Sequence, residues 1–279
     1  MPFTPAHPAA VLPLLRPPFS PAALVCGAMA PDMPYFLAAA RIPVSARSWY
    51  EPFLNATVSH GLSGLAVSVS FALALLLLYA GVRRPVAALL PGGRAPHGRG
   101  GRSARRVGGV LLSVLIGVAT HLLWDSFTHA DGWAVVHVSP LRARLAGDLT
   151  VARAVQHLST AGGLAAVAVH LWRRGRRAPG GGAGPTALPA PVRRTTVAAL
   201  ALAALAGAAA RTHPLASYRG GPAAADRVGT REALETVASD WATGGGAALV
   251  LALLLYACLW WGHRVWRIRT ARSAREASA

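Results

Sequence analysis

The sequence predicts an all-α fold: a polytopic transmembrane helical bundle of about five to six spanning or re-entrant helices with no sheet. Three observations carry this expectation. The 279 residues are 53% hydrophobic and only 14% charged, with a mean hydropathy of +0.41, too apolar for an ordinary soluble domain of this length. Several uncharged apolar runs reach the length of about 20 residues that a bilayer requires. The cations, all arginine since the chain has no lysine, gather in blocks at the ends of those runs.

Taken in order, the first candidate, 20–40, is apolar but interrupted by "APDMPYF", where Pro31 and Pro34 break a helix and expose backbone groups, as in chain that lines a cavity. The stretches 57–80, 108–128, 153–172 and 243–262 are long and apolar enough to cross. A shorter Ala-rich stretch, 195–210, has no charge between Arg194 and Arg211. Between them, 82–106 holds seven arginines and no acid, 173–194 six and no acid, and the tail after Trp261 five. The connections 129–152 and 211–242 instead balance arginine with Asp131, Asp148, Asp226, Glu232, Glu235 and Asp240. Short cytoplasmic connections are enriched in arginine, so the basic linkers and the C-terminus are expected inside and the mixed loops outside.

Both inside linkers are rich in Gly and Pro ("PGGRAPHGRGGR", "APGGGAGPTALPAP") and read as flexible tethers, with His97 a solvated bystander. The expected organisation is an N-terminal membrane domain, 1–175, carrying a polar His/Asp cluster, a flexible linker, 176–194, and a C-terminal helical pair with a basic tail, 195–279. A surface helix is expected near 223–241, ended by "GGG". Trp49, Trp133, Trp172, Trp260, Trp261 and Trp266 fall near membrane boundaries and read as interfacial anchors.

The net charge of +18 would suit a nucleic-acid partner if it formed one patch, but its division among membrane flanks argues for lipid instead and for no nucleic acid. The abundance of Ala, Gly, Pro and Arg resembles the coding bias of a GC-rich bacterium, and the expected location is a bacterial inner (cytoplasmic) membrane. The N-terminus lacks a basic region before its apolar part, so it does not read as a cleaved signal peptide. Cys26 and Cys258 lie far apart in apolar stretches and read as small buried hydrophobes.

The chemistry-bearing stretch is "HLLWDSFTH", residues 121–129. Helical residues four apart differ by about 40° and about 6 Å of rise, so His121, Asp125 and His129 form one stripe whose ends are about 12 Å apart. One ion with bonds near 2 Å can take His121 with Asp125, or Asp125 with His129, but scarcely all three; two ions sharing Asp125 would satisfy the geometry. The plainer alternative is a helix end that meets water, or a structural Asp–His pair. An ionised aspartate in a spanning helix costs about 2.5–3.5 kcal/mol, so Asp125 needs a partner, an aqueous cavity or the interface. Asp32 in the interrupted segment, His60 at the start of the next helix, His137 and His157 can all reach the same outer face. His7 joins them only if 20–40 is re-entrant or the first sixteen residues dip into the bilayer.

The strings "MPFTPAHPAAVLPLLR", "LVCGAMAPDMPYF", "SHGLSG" and "HLLWDSFTH" resemble the uncharacterised bacterial membrane family named domain of unknown function 4184, over most of the chain up to about residue 175. More distantly the chain is similar to the membrane-bound metal-dependent hydrolase group. The order His7, Asp32, His60, His121 with Asp125, then His129 is also similar to the ligand series of zinc-dependent phospholipase C. That similarity implies metal ligation by these six residues. It departs at its end, since neither His137 nor His157 is followed by a carboxylate four residues on, and this removes support for a third metal position.

The expectation is therefore a membrane-embedded hydrolase using one or two Zn2+ ions on a phosphoester or similar bond of a lipid or envelope substrate. Its metal ligands would be His7, Asp32, His60, His121, Asp125 and His129, with Asp125 and His129 in the catalytic roles. Two other classes remain: a metal or proton transporter, and a structural membrane protein with a satisfied polar cluster. A transporter needs polar groups through the full membrane depth, and the inner halves of 57–80 and 108–128 offer only Ser68, Ser70 and Ser113.

Overall fold

The computed structural model of the chain describes residues 3–38, 50–90, 104–177, 188–211 and 230–276. It begins with a 3₁₀ helix, Thr4–Leu14. Pro5, Pro8 and Pro13 lack the amide protons that an α-helix would use there, which favours this tighter, looser-bonded form. Then come α1, Pro21–Met29, a 3₁₀ turn, Ala30–Asp32, and the short α2, Met33–Ala38. The segment 20–40 is thus interrupted by the turn Ala30–Asp32 at Pro31, while Pro34 sits in the first turn of α2, and neither described piece is long enough to cross a bilayer.

Two single-turn helices, α3 (Glu51–Leu54) and α4 (Ala56–Ser59), and a 3₁₀ turn, Leu62–Gly64, lead into α5, Leu65–Leu89. The long α6, Ala104–Thr128, is followed by α7 (Trp133–His137), α8 (Ser139–Arg142) and a hairpin of β1 (Arg144–Ala146) and β2 (Leu149–Thr150). The chain closes with α9 (Val151–Arg177), α10 (Ala190–Ala210) and α11 (Thr230–Glu276).

Four helical stretches are long and apolar enough to cross a membrane: Leu62–Leu89, Val107–His137, Ala190–Ala210 and Thr236–Ser273. Their leucines are exposed in numbers no soluble surface tolerates, Leu77 at 75% and Leu202 at 65% among them, which marks a membrane protein whose solvent there is hydrocarbon.

Two expectations need correction. The chain is not free of sheet: β1 and β2 pair antiparallel, turned by Gly147 at φ +53°, a conformation glycine adopts without cost. The stretch 153–172 forms helix α9, in which Arg153, Gln156, His157 and His170 dilute the apolar run, and the shorter 195–210 is among the four. And "GGG" does not end a helix at 241. Within the described part of 223–241 the helix runs on through Gly244 and Gly245, because these glycines lie against Gly207 and Ala204 of α10, where a side chain would collide.

The chain divides into two compact units, Met1–Tyr79 with Gly98–Pro179 and Ala80–His97 with Gly180–Ala279. In the first, α1 packs along α6, and the N-terminal 3₁₀ helix packs on α1, α6 and α9. Its core is Ala23, Ala30, Ala72, Val114 and Val118 beside Val11, Leu24 and Ala28. In the second, α10 packs on α11, Tyr256 donates to the carbonyl of Pro85 at 3.0 Å, and Trp261 donates to that of Gly81 at 2.9 Å. Cys26 is buried and Cys258 exposed, both unbridged. Trp49, His97 and His213 lie outside the described residues.

Candidate metal centre

The polar stripe of α6 is held in place by glycine. A Cβ at Gly117 would collide with the carbonyl oxygen of Leu24, and one at Gly27 with that of Val114. The two backbones therefore touch, as small residues permit between membrane helices. Contact brings the carbonyl of Ala28 to within 2.7 Å of His121 Nδ1. A carbonyl can only accept, so Nδ1 carries the proton and the Nε2 lone pair of His121 faces the other way.

His60 is set in the same manner, its Nδ1 donating to the carbonyl of Ala56 at 2.8 Å. The turn that carries it is tied down from both sides. Ser59 Oγ donates to the Pro31 carbonyl at 2.7 Å, and Ser68 Oγ donates to the Ser59 carbonyl at 2.8 Å. The first of these bonds joins the turn directly to the Ala30–Asp32 segment, whose Asp32 is fully buried.

Four ligand atoms, one each from Asp32, His60, His121 and Asp125, lie within 4.8 Å of one another and can hold a metal ion. His60 Nε2 stands 3.2 Å from Asp32 Oδ1 and 3.4 Å from Asp125 Oδ2. His121 Nε2 stands 3.5 Å from Asp32 Oδ1, 3.1 Å from Asp125 Oδ2 and 3.3 Å from His60 Nε2. Four ligands around one tetrahedral ion with bonds of about 2.0–2.1 Å are separated by about 3.3–3.4 Å, so these five separations match five of a tetrahedron's six edges, and the sixth, between the carboxylates of Asp32 and Asp125, lies within 4.8 Å. They are also close without being aligned. None of the four carboxylate oxygens of Asp32 and Asp125 accepts a hydrogen bond among the described residues, although all are buried. Buried carboxylates are expensive unless paired or metal-bound, and a cation among these oxygens and imidazole nitrogens would satisfy them.

His7 arrives from the N-terminal 3₁₀ helix. Its ring stacks on that of His121 at 3.7 Å between centroids, with Nε2 3.7 Å from Asp125 Oδ1 and 4.0 Å from Asp32 Oδ2. Burial, with the neighbouring His121 ring, lowers its pKa to about 4, so the ring is neutral and has a lone pair to offer. His129 lies outside the four, as the rise along one helix requires. Its Nδ1 is 3.2 Å from the Asp125 backbone carbonyl, and its buried Nε2 has no hydrogen-bond partner among the described residues.

His137 does not join: it is exposed and stacks on Trp133 at 4.7 Å. His157 is exposed on α9 and belongs to no group of three or more such ligands among the described residues.

Sequence reasoning passes over Tyr35, whose ring meets that of His60 edge-on at 5.9 Å. Burial, then the charges of Asp32 and Asp125, push its pKa up to about 12, which keeps the phenol a hydrogen-bond donor. The one available signal is its position three residues after Asp32 beside Pro34. Ser59 gives no signal at all, since its role depends on a contact 28 residues away. The three serines that could have begun a polar path through the membrane are committed to backbone carbonyls: Ser68 to Ser59, Ser70 to Ala66 and Ser113 to Gly109.

A family model described as "Domain of unknown function (DUF4184)" matches residues 1–258. No curated protein and no solved structure matches the chain significantly.

Proposed function

Because the chain belongs to the DUF4184 family, whose name assigns no activity, we propose its function from the site alone: a membrane-embedded zinc hydrolase acting on a phosphoester of a lipid or envelope substrate. The observation that carries this reading is the set of tetrahedral separations among Asp32, His60, His121 and Asp125. Two imidazole nitrogens and two carboxylate oxygens suit zinc by ligand type and number. Bound zinc lowers the pKa of a coordinated water to about 7 and polarises a phosphoryl oxygen, which supplies hydroxide at neutral pH.

In hydrolysis, water adds its oxygen to phosphorus and the bond from phosphorus to the leaving oxygen breaks. The departing alkoxide takes up a proton, giving a phosphomonoester and an alcohol. His129, next to Asp125 on α6, is the proposed proton donor. Tyr35, whose ring meets that of His60, is the proposed donor to a phosphoryl oxygen as its charge grows. Tyr35→Phe should lower kcat about 10²-fold, the loss seen when one such donor is removed, and leave bound zinc unchanged; a variant with unaltered turnover would take Tyr35 out of the reaction.

The lipid assignment draws on a cavity of about 420 Å³ beside the centre, walled by His7, Ala9, Pro13, Trp124, Gly162 and Gly163. An apolar recess with one wall at the metal site fits an acyl chain whose head group reaches the ion. A Cβ added at Gly162 would meet no atom within 4 Å, so a leucine there enters the recess without a backbone collision. Gly162→Leu should raise KM about tenfold for a long-chain phosphodiester lipid, with little change for a short-chain one and full zinc content. Equal effects on both chain lengths would separate the recess from substrate binding.

The distribution of the arginine blocks supports a centre on the non-cytoplasmic side of a bacterial inner membrane, with the C-terminus inside. The structural alternative predicts a protein that tolerates loss of metal and shows no activity, and the transporter alternative is disfavoured by the committed serine hydroxyls. Purification in detergent with measurement of bound metal, then hydrolysis of a phosphodiester lipid before and after chelation and zinc return, tests the reading. Stoichiometric zinc with activity that follows it is expected; metal-free, inactive protein would overturn it.

A further inference from the structure

The second compact unit pairs aromatic rings with cations in an arrangement that starts from a proline. In a helix the carbonyl of Gly81 would accept from the amide four residues on, but that residue is Pro85, which has no N–H. The indole of Trp261 supplies the missing donor, its Nε1 donating to the Gly81 carbonyl at 2.9 Å. Trp261 of α11 is thereby fixed against the end of α5. The Arg84 guanidinium, one turn past Gly81, lies over the Trp261 ring at 5.8 Å. Trp260 meets Trp261 edge-on at 4.8 Å, and the Arg264 guanidinium lies over Trp260 at 5.5 Å. Two cations from different helices are thus held on two touching indoles.

Their surroundings are set by the same sequence. Residues 241–262 of α11 carry no charge, and at 1.5 Å per residue this run is about 33 Å long, enough to cross a hydrocarbon core of about 30 Å. Trp260 and Trp261 stand at its end, where indoles meet lipid head groups, and Arg264 stands just beyond. The nearest acids along α11, Asp240 and Glu276, are about 36 and about 18 Å from Arg264 along the helix axis. Both distances exceed about two Debye lengths at physiological ionic strength, so neither acid neutralises it. Arg84 and Arg264 are exposed, and stacking occupies the face of a guanidinium while leaving its in-plane N–H donors open.

We propose that Arg84 and Arg264, stacked on Trp261 and Trp260, form a binding site for the head group of an acidic phospholipid of the bilayer. The planar donors of a guanidinium match two phosphate oxygens at once, and basic pockets between spanning helices hold acidic head groups on this basis. Leu255 and Leu259, exposed on the membrane side of the tryptophans, give the acyl chains an apolar surface that a free phosphate ion could not use. With the C-terminus inside, as proposed above, the lipid belongs to the cytoplasmic leaflet. The site does not depend on the hydrolase reading.

The test is binding of phosphatidylglycerol with a fluorescent tail, in neutral mixed micelles, to the full-length protein. Unlabelled phosphatidylglycerol, phosphatidylcholine and inorganic phosphate serve as competitors. Arg84→Gln with Arg264→Gln is compared with Arg269→Gln with Arg272→Gln, which removes the same charge further along α11. All four side chains are exposed, so both double variants should keep the wild-type gel-filtration profile. An arginine at an acidic surface contributes about fivefold in affinity, so the first pair should bind at least about 20-fold more weakly and the second less than about threefold. Phosphatidylglycerol should displace the probe, and phosphatidylcholine or a large excess of inorganic phosphate should not. Equal losses in the two pairs would reduce the site to diffuse charge, and unchanged affinity in the first pair would overturn it. Displacement by phosphatidylcholine or inorganic phosphate as effective as that by phosphatidylglycerol would overturn an acidic lipid as the occupant.

Discussion

Asp125→Ala should strip the protein of bound zinc and abolish hydrolysis. Asp125 presents Oδ2 to both His60 and His121, at 3.4 and 3.1 Å, and Oδ1 to His7 at 3.7 Å. Among the described residues no other side chain reaches all three imidazoles except Asp32, so its removal leaves one carboxylate to neutralise whatever the cluster binds. Zinc content should fall below about a tenth of the wild-type value and turnover by at least about 10³-fold. Stability supplies a second readout. A ligand that binds only the folded state at about 1,000 times its Kd stabilises it by about 4 kcal/mol. Added zinc should therefore raise the unfolding temperature of the wild type by several degrees and leave Asp125→Ala unmoved. Asp125→Asn, which keeps the shape and loses the charge, should behave like the alanine variant. A variant that keeps its zinc would show that Asp125 is only the wet end of a helix.

The second large effect lies away from the ligands. Gly117→Leu should dismantle the centre, because even a Cβ at this position collides with Leu24 and Ala28 backbone atoms. α1 must then move off α6, and overpacking of this kind costs about 1–3 kcal/mol. Displacement takes with it the Ala28 carbonyl that orients His121, and loss of such an orienting partner lowers metal affinity about 10–100-fold. Gly108→Leu is the control on the same helix, since a Cβ there meets nothing within 4 Å; it should bind zinc like the wild type. Matching zinc affinity in both leucine variants would mean that α1 does not position the site.

These expectations also mark how far the residues alone could carry the reading. The stripe on α6 is legible because helical spacing fixes which residues share a face, and the break at Pro31 because proline interrupts a helix. From these, Asp32, His60, His121 and Asp125 could be assembled as one set before any coordinates. The placement of His7 could not. It depends on the Pro-rich N-terminus folding back as a 3₁₀ helix onto α9 and α1, a contact with no local signal. Likewise Gly27 and Gly117 read as ordinary small residues until two backbones are seen to touch. The β1–β2 hairpin is too short to show an alternation. The unbroken α11 contradicts its own glycines, since tertiary packing on α10 outweighs their low helix propensity. Long apolar periodicity announces helices; pairwise approach, which builds the site, is written between segments rather than within them.

The central claim is that Asp32, His60, His121 and Asp125 form one metal site. X-ray absorption at the zinc edge, on protein loaded with one equivalent of zinc, examines that shell directly. The account predicts four nitrogen or oxygen neighbours at about 2.0 Å with the outer scattering of two imidazoles. Zinc surrounded by six oxygens without imidazole scattering, or a protein that retains no zinc at all, would contradict it.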